Sequence, residues 1–189
     1  MNHDDHVSLI RAGAAGAGLR WLELGAGEGA FTLALADVLG GAGSIVALDR
    51  NGGALARAAE HVANRFPATD LETLTADFTR SFPPDLFDGV LAANSLHFVA
   101  DRAPVLAAIR RALVPGGRLV VVEYDADRGN PWVPHPFSFA SWRREATVAG
   151  FAPPTLIRRV PSRFLGGIYG AVTTYERLME PRSPVKHPA

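Results

Sequence analysis

Between Trp21 and Ala30 the chain reads Trp21-Leu22-Glu23-Leu24-Gly25-Ala26-Gly27-Glu28-Gly29-Ala30, an apolar run that closes on an acid and three alternate glycines before a helix-forming stretch. Glycine is needed where backbone takes positive φ or meets a ligand more closely than a Cβ permits, and the helix that follows offers unpaired N–H groups at its start. A buried strand, such a turn and a helix together open a parallel α/β unit, with a ligand expected on the turn.

The rest of the chain repeats the pattern. After a helix over 31–39, Ser44-Ile45-Val46-Ala47-Leu48-Asp49 is a second short apolar strand ending in a carboxylate. An acid about 20 residues past the glycines can accept both ribose hydroxyls of a nucleotide-like cofactor, or it can cap the helix starting near Gly53. A third strand is expected over Leu71–Phe78, ending in Asp77-Phe78, and a fourth over Phe87–Ala93, opening into Asn94-Ser95-Leu96-His97-Phe98. Pro104 to Leu113 reads as an amphipathic helix stopped by Val114-Pro115-Gly116-Gly117, and Arg118–Glu123 as a fully apolar fifth strand. Thr155–Val160 and Ile168–Thr174 supply two more, divided by a turn at 163–167. Apolar strands separated by helical stretches predict an α/β fold, a doubly wound sheet with helices on both faces.

Glu23-Leu24-Gly25-Ala26-Gly27-Glu28-Gly29 resembles motif I of the class I S-adenosylmethionine (SAM)-dependent methyltransferases, E/D-x-G-x-G-x-G. Phe87-Asp88 through Leu96-His97 resembles that family's motif IV, and Leu113-Val114-Pro115-Gly116-Gly117-Arg118-Leu119-Val120-Val121-Val122-Glu123 its later signature. The resemblance covers roughly 19–124 and implies a doubly wound, mostly parallel seven-stranded sheet with an antiparallel last strand. It implies a Rossmann-like SAM-binding domain with the cofactor on Glu23, Gly25, Ala26, Gly27, Asp49, Arg50, Asp77, Phe78 and Asn94. In that pattern Asp77 bonds the adenine amino group and the Phe78 main chain a ring nitrogen. Gly25, Gly27 and Ala30 also satisfy the dinucleotide fingerprint G-x-G-x-x-G/A, so an NAD(P)-dependent oxidoreductase is the alternative, as is a SAM-binding module without catalysis. Glu23 and Glu28 suit an ammonium and a sulfonium better than a pyrophosphate.

With 189 residues the chain is expected to form one main domain over 19–180, preceded by a helical segment (1–18) able to act as a lid and followed by a flexible tail (181–189). Zero formal net charge argues against a broad nucleic-acid footprint, and no apolar run is long enough to span a bilayer. Asp4 and Asp5 near the start do not fit a signal peptide, so a cytoplasmic protein is expected; no cysteine is present for a disulfide, thiolate metal site or nucleophile, and no metal is expected.

Methyl transfer from a sulfonium is an in-line displacement that depends chiefly on alignment, and a base matters only for a weakly nucleophilic acceptor. His97, Tyr124 and His135 are the candidate catalytic residues, each with a plain alternative: a helix-start residue, a rim aromatic and a loop histidine between prolines. His6 belongs to the lid segment. The loop 128–137, rich in proline and aromatics, suits a small flat acceptor, and the arginines 143, 144, 158, 159 and 163 suit an anionic one.

Overall fold

The computed structural model describes residues 1–162 and 164–176; the expected tail, the end of the expected main domain and Arg163 lie outside them. Seven strands form one sheet: β1 (Arg20–Leu24), β2 (Ser44–Asp49), β3 (Asp70–Thr75), β4 (Phe87–Ala93), β5 (Leu113–Tyr124), β6 (Thr155–Ser162) and β7 (Gly166–Thr174). Their order is β3-β2-β1-β4-β5-β7-β6, and β7 alone runs antiparallel, paired to β5 on one side and β6 on the other.

Among the described residues five helices cover the sheet: α1 (His3–Ala14), α2 (Ala30–Leu39), α3 (Gly52–Arg65), α4 (Ala103–Ala112) and α5 (Phe139–Val148). Strand residues alternate between two cores. Leu22, Leu24, Val90, Leu119 and Val121 meet Val105, Ile109 and Trp142 of α4 and α5, whereas Trp21, Leu91, Val120 and Val122 meet Leu9, Ile10, Phe31 and Leu35 of α1 and α2. The continuous apolar runs of β1, β4 and β5 are therefore buried on both faces, as a doubly wound sheet requires.

Several boundaries differ from expectation for local reasons. β3 stops at Thr75, because Asp77 Oδ1 accepts from Thr79 N (2.9 Å) and Thr79 Oγ1 (2.6 Å) and turns the chain before Phe78. Asn51, not Asp49, caps α3, its side chain accepting from Ala54 N at 3.1 Å. β5 starts at Leu113, earlier than Arg118, since Leu113 pairs with Phe87 and the stretch 114–117 continues on the strand. The N-terminal segment is a helix with an Asn2–Asp5 capping box, and Val7, Leu9, Ile10, Gly13 and Ala14 bury its inner face in the core. Among the described residues no helix is long and apolar enough to cross a membrane.

Candidate active site

The chain passes from β3 at one edge to β4 on the far side of β1, so the carboxyl ends of β1 and β4 form the switch point of strand order. Gly25 N donates to Leu48 O (2.7 Å), which folds the turn back over β2, and Gly25, Gly27 and Gly29 hold φ of 74°, 54° and 87°. A Cβ on Gly25 would stand 2.6 Å from Ser95 Cβ, while one on Gly27 would meet nothing within 4 Å. Glycine at 27 thus serves backbone conformation, and the space beside it is open.

That space is a cleft of about 470 Å³ bordered by Gly25, Gly27, Asp49, Arg50, Asp77, Phe78 and Asn94, seven of the nine residues expected to hold a cofactor. Asn51, Ala54, Ala76, Thr79, Ser95, Phe98 and Val99 complete its wall. Glu23 and Ala26 border instead a second cleft of about 470 Å³, with His6, Glu28, Phe31 and His61; the two clefts share Gly25 and Asn94.

Asp49 anchors the turn: its Oδ2 accepts from Gly27 N (2.9 Å) and its Oδ1 from Asn51 N (2.8 Å), leaving a further lone pair on each oxygen. Asp77 sits at the opposite wall, its pKa lowered by the hydrogen bonds from Thr79. Asn94 is the one non-glycine residue at positive φ (51°) among the described residues. Its Oδ1 and the Ser95 Oγ are both buried without a hydrogen-bond partner, and buried polar atoms are almost always satisfied. Asn94 borders both clefts and Ser95 the first.

Glu23 is buried (2 % exposed) and accepts from Thr32 Oγ1 at 2.6 Å; burial pushes its pKa up to about 8, against the lowering effect of that hydrogen bond. Outside the turn, Glu28 Oε1 accepts from Arg57 Nε (3.2 Å) and Nη2 (2.9 Å), tying α3 to the glycine turn.

His97 lies in a 3-10 turn, Leu96–Phe98, directly after β4. It is 3 % exposed, and its Nδ1 stands 2.7 Å from Oε2 of Glu123, a fully buried residue near the end of β5. Oε1 of Glu123 accepts from the main-chain N–H groups of Ser95 (3.1 Å), Leu96 (2.9 Å) and His97 (3.2 Å). One carboxyl therefore caps the turn and holds the imidazole. Sequence reading missed Glu123, although it is a strand-end acid like Asp49. Tyr124, half-buried, meets His97 edge-on at 5.6 Å. His135 is exposed and borders neither cleft; its main-chain N–H donates to His97 O at 2.9 Å.

Arg102 fastens this region from below. Its Nε and Nη2 donate to both oxygens of Glu145 (2.8 and 2.7 Å), its Nη1 to Val99 O and His135 O, and its guanidinium lies 4.3 Å over the Phe137 ring. Among the described residues the C-terminal arginines 143, 144, 158 and 159 border neither cleft: Arg159 pairs with Asp125 and Arg144 bonds Ser141. Among the described residues no group of three histidines or acids is placed to hold a metal ion.

A family model described as a methyltransferase domain matches residues 22–121. The chain is 28% identical to fusarielin synthase FSL1 of Gibberella zeae over 90% of its own length and 7% of that protein. It is 32% identical to the ubiquinone/menaquinone biosynthesis C-methyltransferase UbiE of Ectopseudomonas mendocina over 60% of its length and 44% of the relative's. The chain thus spans less than half the length of these curated relatives. The crystal structure of the CurJ carbon methyltransferase superposes with a TM-score of 0.68 at 23% identity, covering 85% of this chain and 49% of that one, which shows a shared fold.

Proposed function

The chain belongs to the methyltransferase domain family, and from that premise we propose that it transfers a methyl group from SAM to the carbon of a small-molecule acceptor, with His97 as the base. The observation that carries this reading is the buried 2.7 Å contact between His97 Nδ1 and Glu123 Oε2, behind the turn whose Ser95 and Phe98 border the first cleft. A carbon acid is a poor nucleophile at neutral pH and needs a base, whereas an amine or thiol does not. The C-methyltransferase name of the UbiE relatives supports the same direction.

The cleft residues fit an S-adenosyl group. Asp49 has a free lone pair on each oxygen for the two ribose hydroxyls, the Gly27 side of the turn is open to close approach, and the orphaned Asn94 Oδ1 and Ser95 Oγ belong to residues of the cleft wall. Asp77 and the Phe78 main chain, on the wall of the first cleft with Arg50, would hold the adenine, and Glu23, beside Ala26 on the second, would take the ammonium. When bound, SAM supplies an electrophilic methyl on a sulfonium that leaves as a neutral thioether.

The chain's own part is alignment and proton removal. The Glu123 carboxyl takes the Nδ1–H of His97, which leaves the lone pair on Nε2 to receive a proton. Burial of both groups excludes water from that pair. Tyr124 borders His97 as a neutral phenol, burial and Glu123 raising its pKa, so it can donate to an acceptor oxygen. His135 acts through its main chain, fixing the carbonyl of His97.

Calorimetry with S-adenosylhomocysteine, SAM and NAD(P) titrated separately tests the cofactor. Asp49→Ala should weaken S-adenosylhomocysteine by about 1 to 3 kcal/mol. Binding of NAD(P) in place of the adenosyl ligands overturns the reading in favour of an oxidoreductase. Tight adenosyl binding with no labelled methyl transfer to any of a panel of carbon acids, phenols, amines and thiols leaves a binding module.

A further inference from the structure

The second cleft carries a side chain that the proposed reaction does not use. His6 of α1 borders it with Glu23, Glu28, Phe31 and His61. The helix is held from three directions: Leu9 and Ile10 are fully buried in the core, Arg118 Nη1 donates to Gly13 O at 3.0 Å, and Asp37 of α2 joins both His3 (3.0 Å) and Arg11 (3.1 Å). A fixed helix gives its side chains fixed positions. His6 meets Phe31, in the first turn of α2, with 4.6 Å between ring centroids. Burial is the main cause that lowers its pKa, so the imidazole is neutral at pH 7 with one N–H to give, and no hydrogen bond to another described residue claims it.

Resting on the SAM reading and on Glu23 as the partner of the ammonium, we infer that His6 donates a hydrogen bond to the carboxylate at the amino-acid end of the cofactor. Carboxylate and ammonium share one carbon, so both lie in the second cleft, where most other groups repel an anion or are already engaged. Glu23 and Glu28 are acids, and Arg57 is tied to Glu28 at 2.9 Å. The N–H groups of Gly25 and Ala26 go to Leu48 O, that of Gly27 to Asp49 and that of Gly29 to Ala26 O. His61 is exposed on α3, its Nδ1 3.3 Å from Glu28 O. The His6 ring remains, beside the start of α2, whose dipole also favours an anion. An N–H given to a carboxylate in a recessed cleft is a charge-assisted bond, which adds about tenfold or more in affinity. On this assignment α1 is a fixed wall of the cofactor site.

S-adenosylhomocysteine and S-adenosyl-3-thiopropylamine differ only in that carboxylate and share the ammonium. Calorimetry on the wild type should show about tenfold tighter binding of the first. His6→Phe keeps a ring packed on Phe31 and removes the donor, so it should bring the two ligands level by weakening S-adenosylhomocysteine alone; His6→Gln, which keeps an N–H, should restore part of the preference. Asp49→Ala, at the ribose, should weaken both ligands alike and leave the preference standing. Equal wild-type affinity for the two ligands, a preference that survives intact in His6→Phe, or an equal loss of both ligands in that variant overturns the inference. S-adenosylhomocysteine is titrated first in the series, and failure of the wild type to bind either adenosyl ligand overturns the cofactor reading itself, and the part of His6 with it.

Discussion

Glu23 and Glu123 are two carboxyl groups buried near the ends of β1 and β5, and their hydrogen-bond partners set them to different tasks. Glu123 receives three main-chain N–H groups and the His97 ring, so it is fixed as an acceptor. In Glu123→Gln the amide N–H₂ can face Nδ1, which moves the ring proton to Nε2 and removes the lone pair that the proposed base requires. We therefore expect turnover to fall about 10²-fold or more in both Glu123→Gln and His97→Ala, with S-adenosylhomocysteine affinity little changed. Unaltered turnover in both variants would leave alignment as the whole mechanism. Glu23 has one side-chain donor, Thr32, and burial raises its pKa from 4.5 to about 8. The folded state then holds a proton that the unfolded chain has already released, so the stability this group contributes is complete below pH 4.5 and is lost as pH rises toward about 8. Relative to Glu23→Gln, the ligand-free wild type should lose about 1 kcal/mol per pH unit across that window. Urea melts at pH 5 and pH 8 check this, and parallel pH dependence of the two proteins refutes it.

At the scale of elements, legibility follows how local each cause is. β1, β2 and β4 stand out because a strand covered on both faces is a short apolar run, and the acids closing β1 and β2 mark the ligand edge of the sheet. The end of β3 was hidden: alternation continues through Asp77 and Phe78, but the Asp77 side chain competes for the Thr79 N–H and turns the backbone out of the ladder. The pairing of His97 with Glu123 was hidden for another reason. The two residues are far apart in sequence, and only the adjacency of β4 and β5 brings them together. The docking of α1 was equally non-local. Its apolar face is visible in Val7, Leu9 and Ile10, yet nothing there says it lies across β7. Gly170 permits it: a Cβ at that position would stand only 2.0 Å from the main-chain oxygen of Leu9. Because backbone must shift to relieve such a contact, Gly170→Ala should destabilise the fold by about 1–3 kcal/mol, read as a lower urea midpoint with unchanged slope. A glycine with that duty carries no chemical signal in a sequence.

For the molecule as a whole, reversal of strand order at β1 and β4 is what gives the site its two halves. Helices α2 and α3 lie on one side of the switch, and the 3-10 turn bearing His97, followed by α4, lies on the other. The clefts meet at Gly25 on the first side and Asn94 on the second, so one ligand filling both would bridge segments that otherwise touch mainly through the sheet. It would also satisfy Asn94 Oδ1 and Ser95 Oγ, whose burial without partners is a cost that the ligand-free fold bears. Binding of this kind belongs to the folded state only, because Glu23, Asp49, Asp77 and Asn94 come together through four separate strands. Mass action then fixes the size of the effect. At a concentration 100 times its dissociation constant, S-adenosylhomocysteine should stabilise the fold by about 2.7 kcal/mol. For a domain of this length that corresponds to a rise in melting temperature of about 5–10 °C. Differential scanning calorimetry with matched concentrations of S-adenosylhomocysteine and NAD makes the comparison, and Asp49→Ala should shrink the first shift. A shift produced by NAD and absent with S-adenosylhomocysteine would mean that the glycine turn, for all its fit to a sulfonium cofactor, cradles a pyrophosphate.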